Sequence, residues 1–253
     1  MNIQELELLR DLLLRKKRSM SSVSIDSFNK NFEIEYTHNS TAIEGNTLSL
    51  IETKVMLEDG ISVGGKSLRE VYEVINHSKA FSYVKACIAE QKPLSEAIVK
   101  DIHAILMENI LVGGIYRNCD VRISGAGWKP PAPTEMFRQI KNFFAELPAK
   151  DDMDAITLAA YTHAEFVKIH PFEDGNGRTS RLIMNYQLMA NNFLPISIAK
   201  ENRLAYFETL EEYCLNGNLH PFTEMIAGLE AVRLQEYLNL IPQTKNRQRD
   251  TGR

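Results

Sequence analysis

An all-α fold carrying one small β-hairpin is what the sequence predicts, and three observations carry the prediction. Apolar residues recur at helical spacing through most of the 253-residue chain. Serine or aspartate opens several of these segments, and glycine or asparagine closes them. One stretch, 113–134, breaks the rhythm with four glycines, three prolines and a short alternation through Cys119, Val121 and Ile123. With 44% hydrophobic and 25% charged residues the composition is that of an ordinary globular domain, which excludes global disorder and fibrous repeats.

Taken in order, the first element is an amphipathic helix whose leucines (Leu6, Leu9, Leu13) are interrupted by Glu5, Glu7, Arg10 and Asp11. The basic run Arg15–Arg18 comes last, which suits the negative end of a helix dipole and not a secretory signal. Residues 1–26 therefore form an N-terminal helical arm. Phe28, Phe32, Tyr36 and Ile43 make the stripe of a second helix that stops at Gly45. Ser49-Leu-Ile-Glu52 reads as a capping box opening a short helix to about Glu58. A long helix follows from Leu68 to Glu90, and Ser95 caps another to about Asn109. After the 113–134 segment, read as a hairpin flap, helices resume at 134–146, 154–169, 178–191, 203–215 and 223–240. One domain over 27–240 results, with 241–253 a frayed, polar tail.

Bulk properties remove several functions. Lys plus Arg total 29 against 33 Asp plus Glu, a net charge of -4, which disfavours a nucleic-acid-wrapping role. Three scattered cysteines supply neither a disulfide framework nor a CxxC metal knuckle, and a reducing cytoplasmic setting is expected. No apolar run approaches the ~18 residues that suggest a membrane span.

Two glycine loops compete as phosphate cradles. Gly60-Ile-Ser-Val-Gly-Gly65-Lys66-Ser67 matches the GxxxxGK[ST] pattern, but a capped helix precedes it where that loop needs a buried strand. The second is His170-Pro171-Phe172-Glu173-Asp174-Gly175-Asn176-Gly177-Arg178-Thr179-Ser180-Arg181. Gly175 and Gly177 let backbone N–H groups turn toward an anion, and a helix beginning beside them adds its positive dipole end. Arg178 and Arg181, three apart, share a helical face and can clamp phosphates. Asp174 suits Mg²⁺, a hard cation held through few carboxylates plus phosphate oxygens. His170 is a base able to accept a proton near pH 7. His220-Pro221-Phe222 repeats the opening without the glycine loop, so no chemistry is expected there.

Residues 170–181 match the HxFx[D/E]GNGRxxR signature without a departure, so the chain resembles the Fic (Fic/Doc) family. The likeness extends over roughly 30–230, since Gly114-Ile-Tyr116-Arg117 resembles the family's flap and Ser40-x-x-x-Glu44-Gly45 its [S/T]xxxE[G/N] inhibitory motif. It also accounts for Gly65-Lys66-Ser67, because family members carry a similar loop without a phosphate role. The resemblance implies a Fic-type helical bundle that transfers AMP from ATP to Ser, Thr or Tyr hydroxyls of a target protein or of itself, releasing pyrophosphate. His170 would then be the base, Asp174 the Mg²⁺ ligand, and Gly175, Asn176 and Gly177 the cradle of the transferred phosphate. Arg178 and Arg181 would hold the β- and γ-phosphates, with Arg203 and Tyr206 in the nucleoside pocket and Phe172 a buried anchor. Glu44, with Ser40, would occupy Arg181 and misalign ATP; a helix running from Phe28 puts this carboxylate at a C-terminus, where the dipole opposes it, so a cationic partner is expected. The resemblance leaves open removal of AMP, transfer of UMP, phosphate or phosphocholine, and a non-catalytic regulatory role. Self-association into dimers or larger oligomers is a further expectation.

Overall fold

The computed structural model describes residues 2–16, 21–62, 64–150 and 152–240. Among them ten α-helices occur, in the order α1 (Ile3–Lys16), α2 (Ser22–Ala42), α3 (Leu50–Asp59), α4 (Leu68–Ala89), α5 (Glu96–Leu106), α6 (Pro133–Glu146), α7 (Ala155–Ile169), α8 (Asn176–Ala190), α9 (Arg203–Asn216) and α10 (His220–Asn239). None of them is long and apolar enough to cross a membrane. The expected tail, 241–253, and the end of the basic run, Lys17 and Arg18, lie outside the described residues.

Local chemistry explains the boundaries. Ser49 and Glu52 form the reciprocal capping box that opens α3, and Ser67 with Glu70 forms a second one at the start of α4. Asp154 caps α7 by accepting from the amides of Ile156 and Thr157. The helix predicted from Phe28 begins earlier, at Ser22, so α2 crosses the expected boundary at residue 27 without a break. Likewise α10 starts at His220, with Pro221 in its first turn, where a proline's missing N–H costs no intrahelical bond.

The α7–α8 hairpin is the axis of the fold. Alanines 159, 160 and 164 on α7 are fully buried and let α8 approach closely. One apolar cluster, with α1, α9 and α10, uses Ile156 and Val167 of α7 and Met184 and Leu188 of α8. A second, with α2, α4, α5 and α6, uses Phe166 and Ile169 of α7 and Leu182, Ile183 and Tyr186 of α8. Because both cores lean on this hairpin, α8 is buried on all sides, polar residues included. Its N-terminus, and the loop 170–175 before it, inherit that rigidity.

The predicted β-hairpin is not there: no strand occurs among the described residues, and 113–132 runs as irregular coil. The reason is visible in Arg117, which is buried and spends its guanidinium on three backbone carbonyls. Its Nε donates to His170 O at 2.8 Å, Nη1 to Cys119 O at 2.7 Å and Nη2 to Pro131 O at 2.6 Å. Carbonyls that a ladder would pair across strands are thus satisfied by one side chain, and Pro130 and Pro131 have no N–H to offer. A lone two-stranded ribbon is marginal in any case.

Candidate active site

The loop between α7 and α8 is built by four fixations. His170 ends α7 in the left-handed region (φ 52, ψ 60), an unusual conformation for a side-chain-bearing residue, held by its amide donating to Phe166 O at 3.0 Å. Phe172 is fully buried and stacks on the His103 ring at 3.5 Å between centroids, the anchor the sequence predicted. Asn176 closes the loop on Phe172, donating to its carbonyl at 2.8 Å and accepting from its amide at 3.0 Å. Gly175 precedes α8 at φ 76, a left-handed conformation that favours glycine, and the Met107 methyl would have to move for an added Cβ.

His103 ties this loop to the coil after α5. The Gly114 amide donates to its Nδ1 at 2.8 Å, so the proton sits on Nε2, which donates to the Asp174 carbonyl at 3.0 Å. Burial pushes this imidazole down to about 4, keeping it neutral, as the two bonds require. His170 is tuned the same way. Its Nδ1 lies 3.3 Å from Val167 O, which can only accept, so Nδ1 carries the proton and Nε2 is left as a base. Burial, opposed by that bond, lowers its pKa to about 4. Trp128 flanks the ring at 6.4 Å between centroids.

The two arginines of α8 go to different acids. Arg181 is almost fully buried. Its Nε donates to Ser40 Oγ at 3.0 Å, and its Nη2 to Ser40 O at 2.7 Å and Glu44 Oε1 at 2.8 Å. Glu44 lies just past α2, beyond its C-cap Ile43, where the dipole opposes its charge, and an arginine does hold it. Its carboxylate lies over Gly177, where an added Cβ would come within 2.2 Å of Glu44 Oε1. Arg178 is equally buried, with Nη2 donating to Asp174 Oδ1 at 3.2 Å and Nη1 3.4 Å from Glu73 Oε1. Its Nε and Nη1 have no hydrogen-bond partner among the described residues, a costly state for a buried guanidinium.

Asp174 accepts on both oxygens, Oδ1 from the Gly175 amide and Arg178, and Oδ2 from Arg69 of α4. Burial would raise its pKa, but Arg178, the Gly175 amide and Arg69 outweigh it and hold the carboxyl below its usual range. Glu73 gathers the same network by accepting from Arg69 Nε at 3.2 Å and Asn46 Nδ2 at 3.0 Å. Sequence reasoning missed Arg69, Glu73, His103 and Arg117, because their partners are remote in the chain.

Other predicted positions fall as follows. Tyr206 is buried beneath Arg181, its hydroxyl 3.4 Å from Nη1 and 2.8 Å from His163 Nε2, so it braces the arginine. Arg203 is exposed and lies over the Phe207 ring at 5.1 Å, outside the arginine cluster. Lys66 donates to Thr47 O at 2.8 Å and pairs with Glu52, while Gly60 simply ends α3, so the GxxxxGK[ST] match is a helix connection. His220 is an exposed helix-start residue beside Glu224.

A helical hairpin presenting this loop defines the class: residues 93–188 match the Fic/DOC family, and the chain carries a Fic-family domain. Its similarity to known proteins runs well beyond that segment. It is 35% identical over 212 residues to the protein adenylyltransferase Fic of Nematostella vectensis (81% of this chain, 48% of that one). To the protein of the same description in Culex quinquefasciatus it is 33% identical over 247 residues (93% and 49%). The chain therefore spans about half the length of the curated relatives it matches. A fragment of Fic-1 from C. elegans superposes with a TM-score of 0.82 at 29% identity, covering 94% of this chain and 70% of that one. A Fic domain containing signaling protein from Bacteroides thetaiotaomicron gives 0.86 over 95% and 97% of the two chains at 23% identity, a likeness of fold.

Proposed function

We propose that the chain is an autoinhibited adenylyltransferase, moving AMP from ATP to a hydroxyl side chain of a protein. The observation that carries this is a base and an anion cradle on one rigid loop. His170 keeps a free Nε2, while the α8 N-terminus and the buried Arg178, whose Nε has no hydrogen-bond partner among the described residues and whose Nη1 and Nη2 face Glu73 and Asp174, offer donors to an anion. Similarity to proteins described as protein adenylyltransferases supports the same reading.

In this mechanism His170 Nε2 takes the proton of the incoming hydroxyl as its oxygen attacks the α-phosphorus of ATP and pyrophosphate leaves. The first-turn amides of α8, Gly177 among them, stabilise the charge on the transferred phosphate, and Asn176 contributes by locking the loop. Arg178 meets the β-phosphate. Mg²⁺ arriving with ATP would neutralise phosphate charge, and Asp174 is the residue to hold it. The donor set fits, with one ionised, one-third exposed carboxylate in the loop and no group of three His, Cys, Asp or Glu among the described residues that would hold a metal alone. Arg181 would take the γ-phosphate, but Glu44 and Ser40 already fill its donors, so ATP binds with its α-phosphorus displaced.

The test is incubation of wild-type and Glu44→Gly protein with labelled Mg-ATP in a lysate, with mass spectrometry of labelled products. Added AMP, far stronger in the variant, is expected. A bare phosphate or UMP-type adduct would assign a different transfer, and an unlabelled lysate with both proteins would sink the reading.

A further inference from the structure

Arg69 is the one side chain bound to the candidate metal carboxylate that the transfer mechanism does not use. Its position is odd on local grounds, since it lies in the first turn of α4, where a helix dipole disfavours a cation. Tertiary structure must therefore hold it there, and two acids do. Nε donates to Glu73 Oε1 at 3.2 Å, and Nη2 reaches Asp174 Oδ2.

The two oxygens of Asp174 differ in what could replace their partners. Oδ1 faces inward, bonded by the Gly175 amide and by Arg178, whose side chain is 2% exposed. Oδ2 is bonded by Arg69, whose side chain is 54% exposed and free to swing into water. A cation approaching Asp174 from solvent thus meets Arg69 first, and only Arg69 can yield without unfolding the loop. Glu73 is anchored from behind by Asn46, so it retains Arg69 when the Asp174 contact breaks.

We propose that Arg69 is a competitor for the divalent cation, occupying Asp174 Oδ2 and so lowering the affinity of this site for a magnesium–nucleotide complex. The chain then carries two restraints, Glu44 on Arg181 and Arg69 on Asp174. The second rests on the reading of Asp174 as the metal ligand. The start of α4 is tied to the segment just after Glu44, since Thr47 donates to Glu70 and accepts from Lys66. Both restraints therefore belong to one strap.

The test uses ADP, which lacks the γ-phosphate and does not compete with Glu44 for Arg181. Calorimetric titration of the full chain with ADP, once in saturating magnesium and once in EDTA, compares wild type, Arg69→Ala and Asp174→Asn. Removing an ion pair of this exposure is expected to tighten magnesium–ADP binding about fivefold in Arg69→Ala. Unchanged or weaker binding overturns the proposal, weaker binding marking Arg69 as a phosphate ligand. Asp174→Asn tests the reading beneath it separately: loss of the magnesium-dependent gain supports Asp174 as the metal ligand, and a wild-type gain removes that role and the proposal with it. Thermal melts of both variants confirm that they fold.

Discussion

The chain contains His-Pro-Phe twice, and the two copies meet different fates. At 170–172 the histidine ends α7 in a left-handed conformation, its carbonyl taken by Arg117, and Phe172 stacks on His103. At 220–222 the histidine starts α10 with an exposed side chain, and only Phe222 is buried. In both, the phenylalanine is a fully buried anchor, but Pro171 lies in a loop whereas Pro221 lies in the first turn of a helix. What separates them is what surrounds the histidine, a glycine loop and two buried arginines in one case and solvent in the other.

Replacing the two histidines breaks the comparison most sharply. His170→Ala should lower AMP transfer by about 10²–10⁴-fold while leaving nucleotide binding by calorimetry nearly intact. Next in size is the covering of the first loop by α2. Freeing Arg181 with Glu44→Gly should raise the transfer rate on the order of 10²-fold, the scale of a misplaced reacting atom. A rate equal to wild type in labelled-ATP assays would disprove the brake.

Acid sensitivity should come from the buried histidines together, His77 and His163 included, which burial also holds well below the ordinary value. His103 and His170 are pushed by burial to about 4, against an ordinary value of 6.5. Between those pH values the unfolded chain binds protons that the folded one does not, so stability falls as pH drops from 6.5 toward 4. For His103 the loss is on the order of 1–3 kcal/mol, readable in denaturant titrations at successive pH values. His103→Ala should reduce that dependence, leaving the share of the other buried histidines, and loosen Asp174. Gly175→Ala should destabilise by roughly 1–3 kcal/mol, since its φ of 76 is strained for any side-chain-bearing residue. His220→Ala anchors the small end: within about 0.5 kcal/mol of wild-type stability and no change in transfer.

Legibility in the sequence followed the range of the interactions. Capping boxes, apolar stripes and the glycine loop are short-range patterns, and the structure contains them at the expected places, with α2, α8 and α10 starting a few residues early. The 113–134 segment misled because alternation and turn residues look alike whether or not a ladder forms. Arg117 decided the matter by reaching two carbonyls of its own segment and that of His170. Tyr206 is expected in the site only through the family resemblance, and its orientation under Arg181 depends on α9 packing against α7. Arg69 did leave a trace, a cation in the first turn of a capped helix, the mirror of the anionic Glu44 at the end of α2.

By itself the sequence determined a helical chain with one contiguous Fic-type glycine loop, because helix periodicity and a contiguous motif are written within a few turns. Tertiary structure decided which charge meets which. Glu44 and Arg181 are 137 residues apart in sequence, and Arg69 and Asp174 are 105 apart. The first pair forms because packing buries the Arg181 charge and leaves one geometry in which it is compensated; the second, at the surface, forms because packing sets the start of α4 beside the loop, a choice that no local pattern encodes.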